Sequence, residues 1–392
     1  MNRGLRSLFF APTGRKTADF PLLTVHRLLF TVHCSLLTAI TRGEVKVVRV
    51  GVIGCGYWGP NLIRNFARHP QAQVHAVCDT RYERATRVGA EYRVPTITDR
   101  PDEVLKAPDI DLVIIATPSF THYELARAAI LAGKHVLVMK PLATRVDHAE
   151  ELVALAERQG TLLAVDHTFV FTGAVRKMKE LIASGEVGEL YYFDSVRINL
   201  GLIQTDVNVI WDLAPHDVSI MDYLIGQEST AVSATGACHG GSPTENIAYV
   251  NVHFGASLLG HIHVNWLAPA KVRRTIVGGS KRMMIYDDME PSEKLKVYDK
   301  GVLISQDTSP ENEYSWMISY RSGDMHAPKL DVREALAVET DNIVQAIKGK
   351  DRLVVDGMAG VRVVRILDAA QQSIEKSGAR IKVGPAPVAP PA

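Results

Sequence analysis

Cysteine is scarce, net charge is almost nil and no apolar stretch is long, and each shortage excludes something. The four cysteines (Cys34, Cys55, Cys78 and Cys238) share no C-x-x-C spacing. Neither a secreted disulfide framework nor a thiolate zinc site is therefore expected, and a reducing, cytoplasmic setting suits them. The 44 basic residues stand against 43 acidic ones, a formal net charge of +1. No basic stripe stands out, so nucleic acid is not expected as a partner. No apolar run reaches the roughly 18 residues that span a bilayer, and no membrane partner is expected either. G-x-S-x-G and H-E-x-x-H are both missing, which leaves hydrolase readings without support. His261 and His263 alternate along one stretch with His253 nearby, but no carboxylate or cysteine completes a set, and no metal is expected.

What is present is an ordinary globular composition, 46% hydrophobic and 22% charged over 392 residues, with length for two domains. The first 46 residues stand apart. Arg3, Arg6, Arg15, Lys16, Arg27 and Arg42 face a single acid, Asp19, before Glu44. An Arg-rich, acid-poor N-terminus fits an organelle transit peptide. The near-repeated text Leu23–His26 and Phe30–His33 lacks amphipathic period, so an over-extended start is preferred, with translation beginning near Val45 or Val47. Segment 1–46 is expected to be poorly ordered and without a part in function.

The chain is organised around Val47–Gly59. Val47 to Ile53 is an apolar β-branched run, interrupted by Arg49 and Gly51, that reads as a buried parallel strand. It leads into Gly54-x-Gly56-x-x-Gly59, and Leu62, Ile63, Phe66 and Ala67 continue at helical spacing. In that context Gly54 makes the tight turn, Gly56 lets backbone approach a pyrophosphate, and Gly59 brings the helix close to the sheet. The helix N-terminus offers its free N–H groups to the phosphates. A second strand, Val74–Cys78, ends in Asp79, near the spacing for an acid that accepts from both ribose hydroxyls. Such an acid repels a 2′-phosphate, so NAD is expected as cofactor over NADP, which Arg81 keeps open.

Strands at 94–97, 111–116, 135–139 and 162–165 then alternate with helices at 82–92, 101–105, 122–131 and 147–158. This pattern predicts a doubly wound Rossmann domain over 47–167, with ligand at the carboxyl ends of the strands. Those ends carry Thr117, Pro118, His122 and Lys140. From residue 173 the pattern changes. A helix at 173–184 is followed by strand-like runs at 189–199, 229–238, 247–254, 257–266, 272–278, 282–287 and 294–298, with no helices between most of them. The expectation is an α+β domain over 168–383 with an open, largely antiparallel sheet. Helices at 333–348 and 357–376 complete it, before a loose proline-rich tail at 384–392.

Taken together, Gly54-x-Gly56-x-x-Gly59, Ala116-Thr117-Pro118 with His122, and Lys140-Pro141-Leu142-Ala143 resemble the glucose–fructose oxidoreductase/inositol dehydrogenase (Gfo/Idh/MocA) family. The likeness runs from about Val47 to Lys382. The family usually has Glu-Lys-Pro where this chain has Met139-Lys140-Pro141. In the second domain Trp211-Asp212-Leu213-Ala214-Pro215-His216 resembles the family's Asp-x-Gly-x-His, with Ala214 for the glycine and Ser219 where many members carry a further Asp. Pro215 belongs near a helix start, so a helix is expected from about Leu213 with Asp212 as its N-cap and His216 on the same side.

Oxidising a secondary alcohol requires hydride and hydroxyl proton to leave together. Histidine, unperturbed at about 6.5, is poised to take the proton, whereas lysine, at about 10.4, needs its pKa lowered first. His216 is accordingly assigned as general base, Lys140 as hydrogen-bond donor or proton relay, and Asp212 as the group that orients them. Lys140 as base is the second assignment. Gly54, Gly56, Tyr57, Trp58, Gly59, Asp79, Thr117, Pro118, His122 and Lys140 are the candidates for cofactor contact. His167, Arg197, Asn199, Gln204, Asn208 and Trp211 are those for substrate. Arg197 suits a carboxylate or phosphate, and Arg176, Lys177, Arg273 or Arg274 suit a diphosphate.

The text Gly56–Asn61 and Trp211–His216 most resembles the branch acting on nucleotide sugars, including UDP-N-acetylglucosamine-type 3-dehydrogenases. The resemblance implies oxidation at C3 of a UDP-amino sugar, and a homodimer or homotetramer formed through the C-terminal sheet. The alternatives are a free cyclitol or pyranose dehydrogenase and a non-catalytic NAD- or sugar-sensing regulator.

Overall fold

The computed structural model describes residues 47–201, 207–306 and 316–384. The segment 1–46, the tail beyond Gly384 and Gln204 lie outside the described residues. β1 (Val48–Ile53) is buried along almost its whole length because strands flank it on both edges. β2 (Ala72–Cys78) and β4 (Leu112–Ile115) pair with it in parallel. β3 (Thr96–Thr98), β5 (His135–Met139) and β6 (Leu163–Asp166) extend the sheet to the order β3-β2-β1-β4-β5-β6, a doubly wound Rossmann sheet. α1 (Gly59–Arg68) begins directly after the glycine turn with Pro60 in its first turn and buries Leu62, Ile63 and Phe66. α2 (Tyr82–Tyr92), α3 (Pro101–Leu105), α4 (His122–Leu131) and α5 (Val146–Gln159) make the crossovers.

The second sheet is built from alternation. In β9 (Ile247–Phe254) Ala248, Val250, Val252 and Phe254 are buried, and in β10 (Leu258–Asn265) Leu258, Ile262 and Val264 are. The opposite faces stay polar or half exposed. β7 (Leu190–Leu200) pairs with β10 in parallel and with β11 (Leu267–Gly279) antiparallel. β8 (Ala231–Ala237), β12 (Met283–Asp287), β13 (Leu295–Gln306), β14 (Trp316–His326) and β15 (Ile381–Lys382) add only antiparallel pairs. Helices α6 (Gly173–Ala183) and α7 (Val209–Ile225) cover its inner face.

Two expectations need correction. The strand expected at 294–298 runs on to Gln306 and pairs with β14, which the sequence pattern did not indicate. Charged residues and glycines (Asp299-Lys300-Gly301, Arg321-Ser322-Gly323) interrupt both strands and break the hydrophobic period. The helix expected from Leu213 starts four residues earlier. Asn208, not Asp212, is its N-cap, accepting from Ile210 N and Trp211 N at 3.1 Å each. Pro215 therefore lies inside the helix. Lacking an N–H, it leaves the Trp211 carbonyl without its helical donor.

α8 (Ala335–Ile347) packs on the 168–171 turn and on α1. α9 (Gly357–Glu375) gives Ala359, Val361 and Val364 to the Rossmann-side core and Val363, Ile366 and Leu367 to the core under the second sheet. Arg362 grips Asp222 of α7 at 2.8 and 2.9 Å, and Arg365 grips Glu150 of α5 at 3.0 and 2.6 Å. One helix thus ties the two layers together. Among the described residues no helix is long and apolar enough to cross a membrane.

Candidate active site

At the carboxyl end of β1, Gly54 takes φ +104°, a conformation that favours glycine. A Cβ there would overlap the Ala116 carbonyl, and one at Gly59 would overlap the Gly54 carbonyl oxygen. Helix and sheet are in backbone contact at this point. Gly56 differs: the nearest atom to a Cβ built there is Arg84 Nη1 at 4.0 Å. The space above Gly56 opens into a cavity of about 900 Å³, so the missing side chain leaves backbone accessible to a pyrophosphate. Asp79 ends β2 at the cavity edge. Its carboxylate accepts from Cys55 N and Arg81 N, both at 2.8 Å, and so braces the glycine turn as well as facing the ligand space.

Every candidate for cofactor contact except Gly59, which lies beneath the turn, lines this cavity. His122 also serves as a strut. Nδ1 lies 2.8 Å from the Pro141 carbonyl and Nε2 2.9 Å from that of Thr117, joining the loops after β4 and β5. Burial lowers its pKa despite both carbonyls. The neutral ring owns one N–H and can donate to only one of them.

A second cavity of about 900 Å³ opens against the other sheet and shares Tyr57, Trp58, Met139 and Lys140 with the first. Lys140 is where the two halves meet chemically. Its Nζ donates to the Asp212 carbonyl at 2.7 Å and approaches Asp212 Oδ1 at 3.4 Å. An ammonium has three donors, so one is left for a ligand. The Asp212 carbonyl is one residue beyond the helical bond that Pro215 removes. Asp212 Oδ2 accepts from Trp266 Nε1 at 3.1 Å, which fixes the carboxylate. His216, one turn on, lines the same cavity, its ring edge-on to Phe169 with centroids 4.9 Å apart. Its Nδ1 has no partner among the described residues. Burial first, then the positive charges of Lys140 and Arg197, hold its pKa well below the ordinary histidine value, so the ring is neutral.

Lys140, Asp212, His216 and Asn199 thus share one cavity. Among the described residues, the candidates His167, Arg197, Asn208 and Trp211 do not line it. Arg197 is buried against Asp217 (Nε–Oδ2 2.6 Å), which also takes Ser195 Oγ at 2.6 Å, and its guanidinium lies over the Phe169 ring. Held in this way, it does not line the cavity. Asn208 spends its side chain on the α7 cap and on Glu245 and Gln371. Trp211 packs against both cores, and His167 is buried with neither ring nitrogen partnered among the described residues. Asp166, Phe169 and Trp266 line the cavity without having been picked out from sequence, whereas Arg273, named from sequence for a diphosphate, lines it from β11. Asp166 could have been found, since it ends β6 in register with Met139, the residue before Lys140. Among the described residues no three His, Cys, Asp or Glu side chains are grouped to hold a metal ion.

Comparison with known proteins agrees with this architecture. A family profile described as "Oxidoreductase family, NAD-binding Rossmann fold" matches residues 48–167, and one described as "GFO/IDH/MocA C-terminal domain" matches 175–285. The uncharacterized oxidoreductase YdgJ of Escherichia coli (strain K12) is 31% identical over 256 residues, 63% of this chain and 73% of that protein. The myo-inositol 2-dehydrogenase of Thermotoga maritima is 22% identical over 340 residues, 84% of this chain and 97% of that protein. The solved UDP-N-acetylglucosamine 3-dehydrogenase GnnA from Acidithiobacillus ferrooxidans matches with a TM-score of 0.70 at 25% identity, covering 84% of this chain and 97% of that one.

Proposed function

The chain belongs to the Gfo/Idh/MocA family of NAD-binding oxidoreductases, and on that premise we propose that it acts on a ring secondary alcohol of a sugar, C3 of a UDP-activated amino sugar. The observation that carries this reading is the junction at Lys140. A cofactor cavity and a second, largely apolar cavity meet there, and an amine, a carboxylate and an imidazole from two different sheet layers converge on the second. The GnnA relative favours a nucleotide sugar. Arg273, whose Nη1 donates to Asp288 at 3.3 Å, brings a guanidinium suited to phosphate to the same wall.

NAD, when bound, supplies the hydride acceptor. The residues of the chain handle the proton. The remaining Lys140 donor hydrogen-bonds the substrate oxygen and stabilises the negative charge that develops there. His216, kept neutral, accepts the hydroxyl proton. Asp212 holds Lys140 through its carbonyl and carboxylate and is itself held by Trp266. A homodimer or homotetramer through the outer face of the second sheet is part of the same proposal, supported by exposed Tyr192, Tyr249 and Leu259. So is a cytoplasmic setting, which the free thiols of Cys55, Cys78 and Cys238 suit.

The test follows NADH absorbance in the presence of NAD and UDP-N-acetylglucosamine, its uronic acid, myo-inositol or glucose. Turnover of a UDP-sugar is expected, with Lys140→Met and His216→Asn each lowering kcat about 10²- to 10⁴-fold while still binding NADH. Turnover of myo-inositol alone would favour the cyclitol reading that the Thermotoga maritima relative supports. Variants working at the wild-type rate would remove the assigned roles.

A further inference from the structure

Behind the wall that the two cavities share lies a second buried titratable cluster, Asp166 with Glu339, which takes no part in the proton transfer above. Asp166 ends β6 in register with Met139 of β5, is 2% exposed, and lines the substrate cavity. A carboxylate has about four acceptor positions, and three of them are accounted for. Oδ2 takes the Trp58 indole N–H at 2.8 Å, while Oδ1 takes Thr168 N–H at 3.1 Å and the Thr168 hydroxyl. Glu339, on α8, is 1% exposed, and among the described residues no donor reaches either of its carboxyl oxygens.

The polar groups beside Glu339 are Asp166 and Thr168. Asp166 is an acceptor, and the Thr168 hydroxyl already points its proton at Asp166. The hydrogen bond open to Glu339 is therefore the one it makes by keeping its own proton. Burial, reinforced by the neighbouring Asp166 charge, pushes the Glu339 carboxyl well above the usual range in agreement with this.

We propose that Glu339 is a positioning residue: it donates a hydrogen bond to Asp166, and Asp166 in turn fixes the Trp58 indole where the cofactor and substrate cavities meet. Trp58 lines both cavities and immediately precedes α1, so the setting of its indole shapes the wall on which both ligands rest. Glu339 thereby influences the reaction site without lining it.

NADH binding tests this without any sugar, so the result does not depend on which substrate is correct. NADH absorbs where tryptophan emits, and Trp58→Phe defines how much of the quenching on binding belongs to Trp58. Glu339→Gln, whose amide still donates, is expected to keep wild-type quenching and NADH affinity. Glu339→Leu, similar in size but without a donor, is expected to lose the Trp58 share of the quenching and to bind NADH about tenfold more weakly. In a Trp58→Phe background the same substitution should add nothing. The proposal is overturned if Glu339→Gln is impaired, if Glu339→Leu matches wild type, or if its effect survives intact in Trp58→Phe. Should Glu339→Leu fail to fold, Glu339→Gln still decides, together with Trp58→Phe, which must itself weaken NADH binding.

Discussion

The two cavities that meet at Lys140 are assembled differently. The cofactor side comes from one stretch of chain: the glycine turn, the ends of β1, β2, β4 and β5 and helix residues beside them, all within residues 53–140. The substrate side is gathered from distant stretches, with residues from β6, β7, α7, β11 and α8 across residues 57–335. A second contrast divides two ion pairs. Arg197–Asp217 is closed, its side chains 5% and 3% exposed, with short bonds from Arg197 and Ser195 onto one carboxylate. Lys140–Asp212 is looser, 18% and 23% exposed with a 3.4 Å contact. A saturated pair holds structure, whereas a pair with donors to spare is available for chemistry.

The largest expected effect comes from breaking the closed pair. Arg197→Met strands a buried charge on Asp217 and should cost about 3–5 kcal/mol in denaturant unfolding. Asp212→Asn, acting on the looser pair, should cost less than about 1 kcal/mol while turnover falls. Equal losses of stability would abolish the distinction. Next comes Gly56→Ala, which puts a methyl group into ligand space and touches little of the protein. NADH binding should weaken about 100-fold, or about 2.7 kcal/mol, with Tm unchanged; a fall in Tm would mean that this turn is packed against protein after all.

Two buried histidines differ in how they respond to pH. Burial takes the His167 ring down to about 3 with no carbonyl to offset it, whereas the two carbonyls at His122 oppose its shift. A native pKa below the unfolded value means that the unfolded chain takes up the proton first. The stability from a neutral His167 is complete above pH about 6.5 and is lost at about 1.4 kcal/mol per pH unit as pH falls toward 3. His167→Leu should flatten that acid limb in urea titrations between pH 6.5 and 4. An unchanged slope would mean that His167 is protonated in the fold.

Legibility followed the same divide. The β1–turn–α1 unit, Asp79 and the strand-end residues Thr117, Pro118 and Lys140 could be read because period, glycine spacing and strand order are local or topological features. Asn199 and His216, singled out from residue type and likeness, line the second cavity. Arg197 looked like a ligand residue for the same reason, since a guanidinium with a free face and one locked on Asp217 have the same spelling. The α7 cap was misread because Pro215 argued for a helix start, whereas Asn208 and the packing of Val209 and Ile210 into the core placed it earlier. Glu339 looked like any acid on an amphipathic helix.

Sequence alone determined the nucleotide-binding half of this protein, because a glycine turn that must bring backbone against backbone tolerates few spellings. Only the tertiary structure decided which charges are spent and which are free. That outcome depends on partners 20 residues away, as for Arg197 and Asp217, or 72 away, as for Lys140 and Asp212. Burial depth and hydrogen-bond saturation, which set the energy of a charge, exist only once the chain has closed on itself.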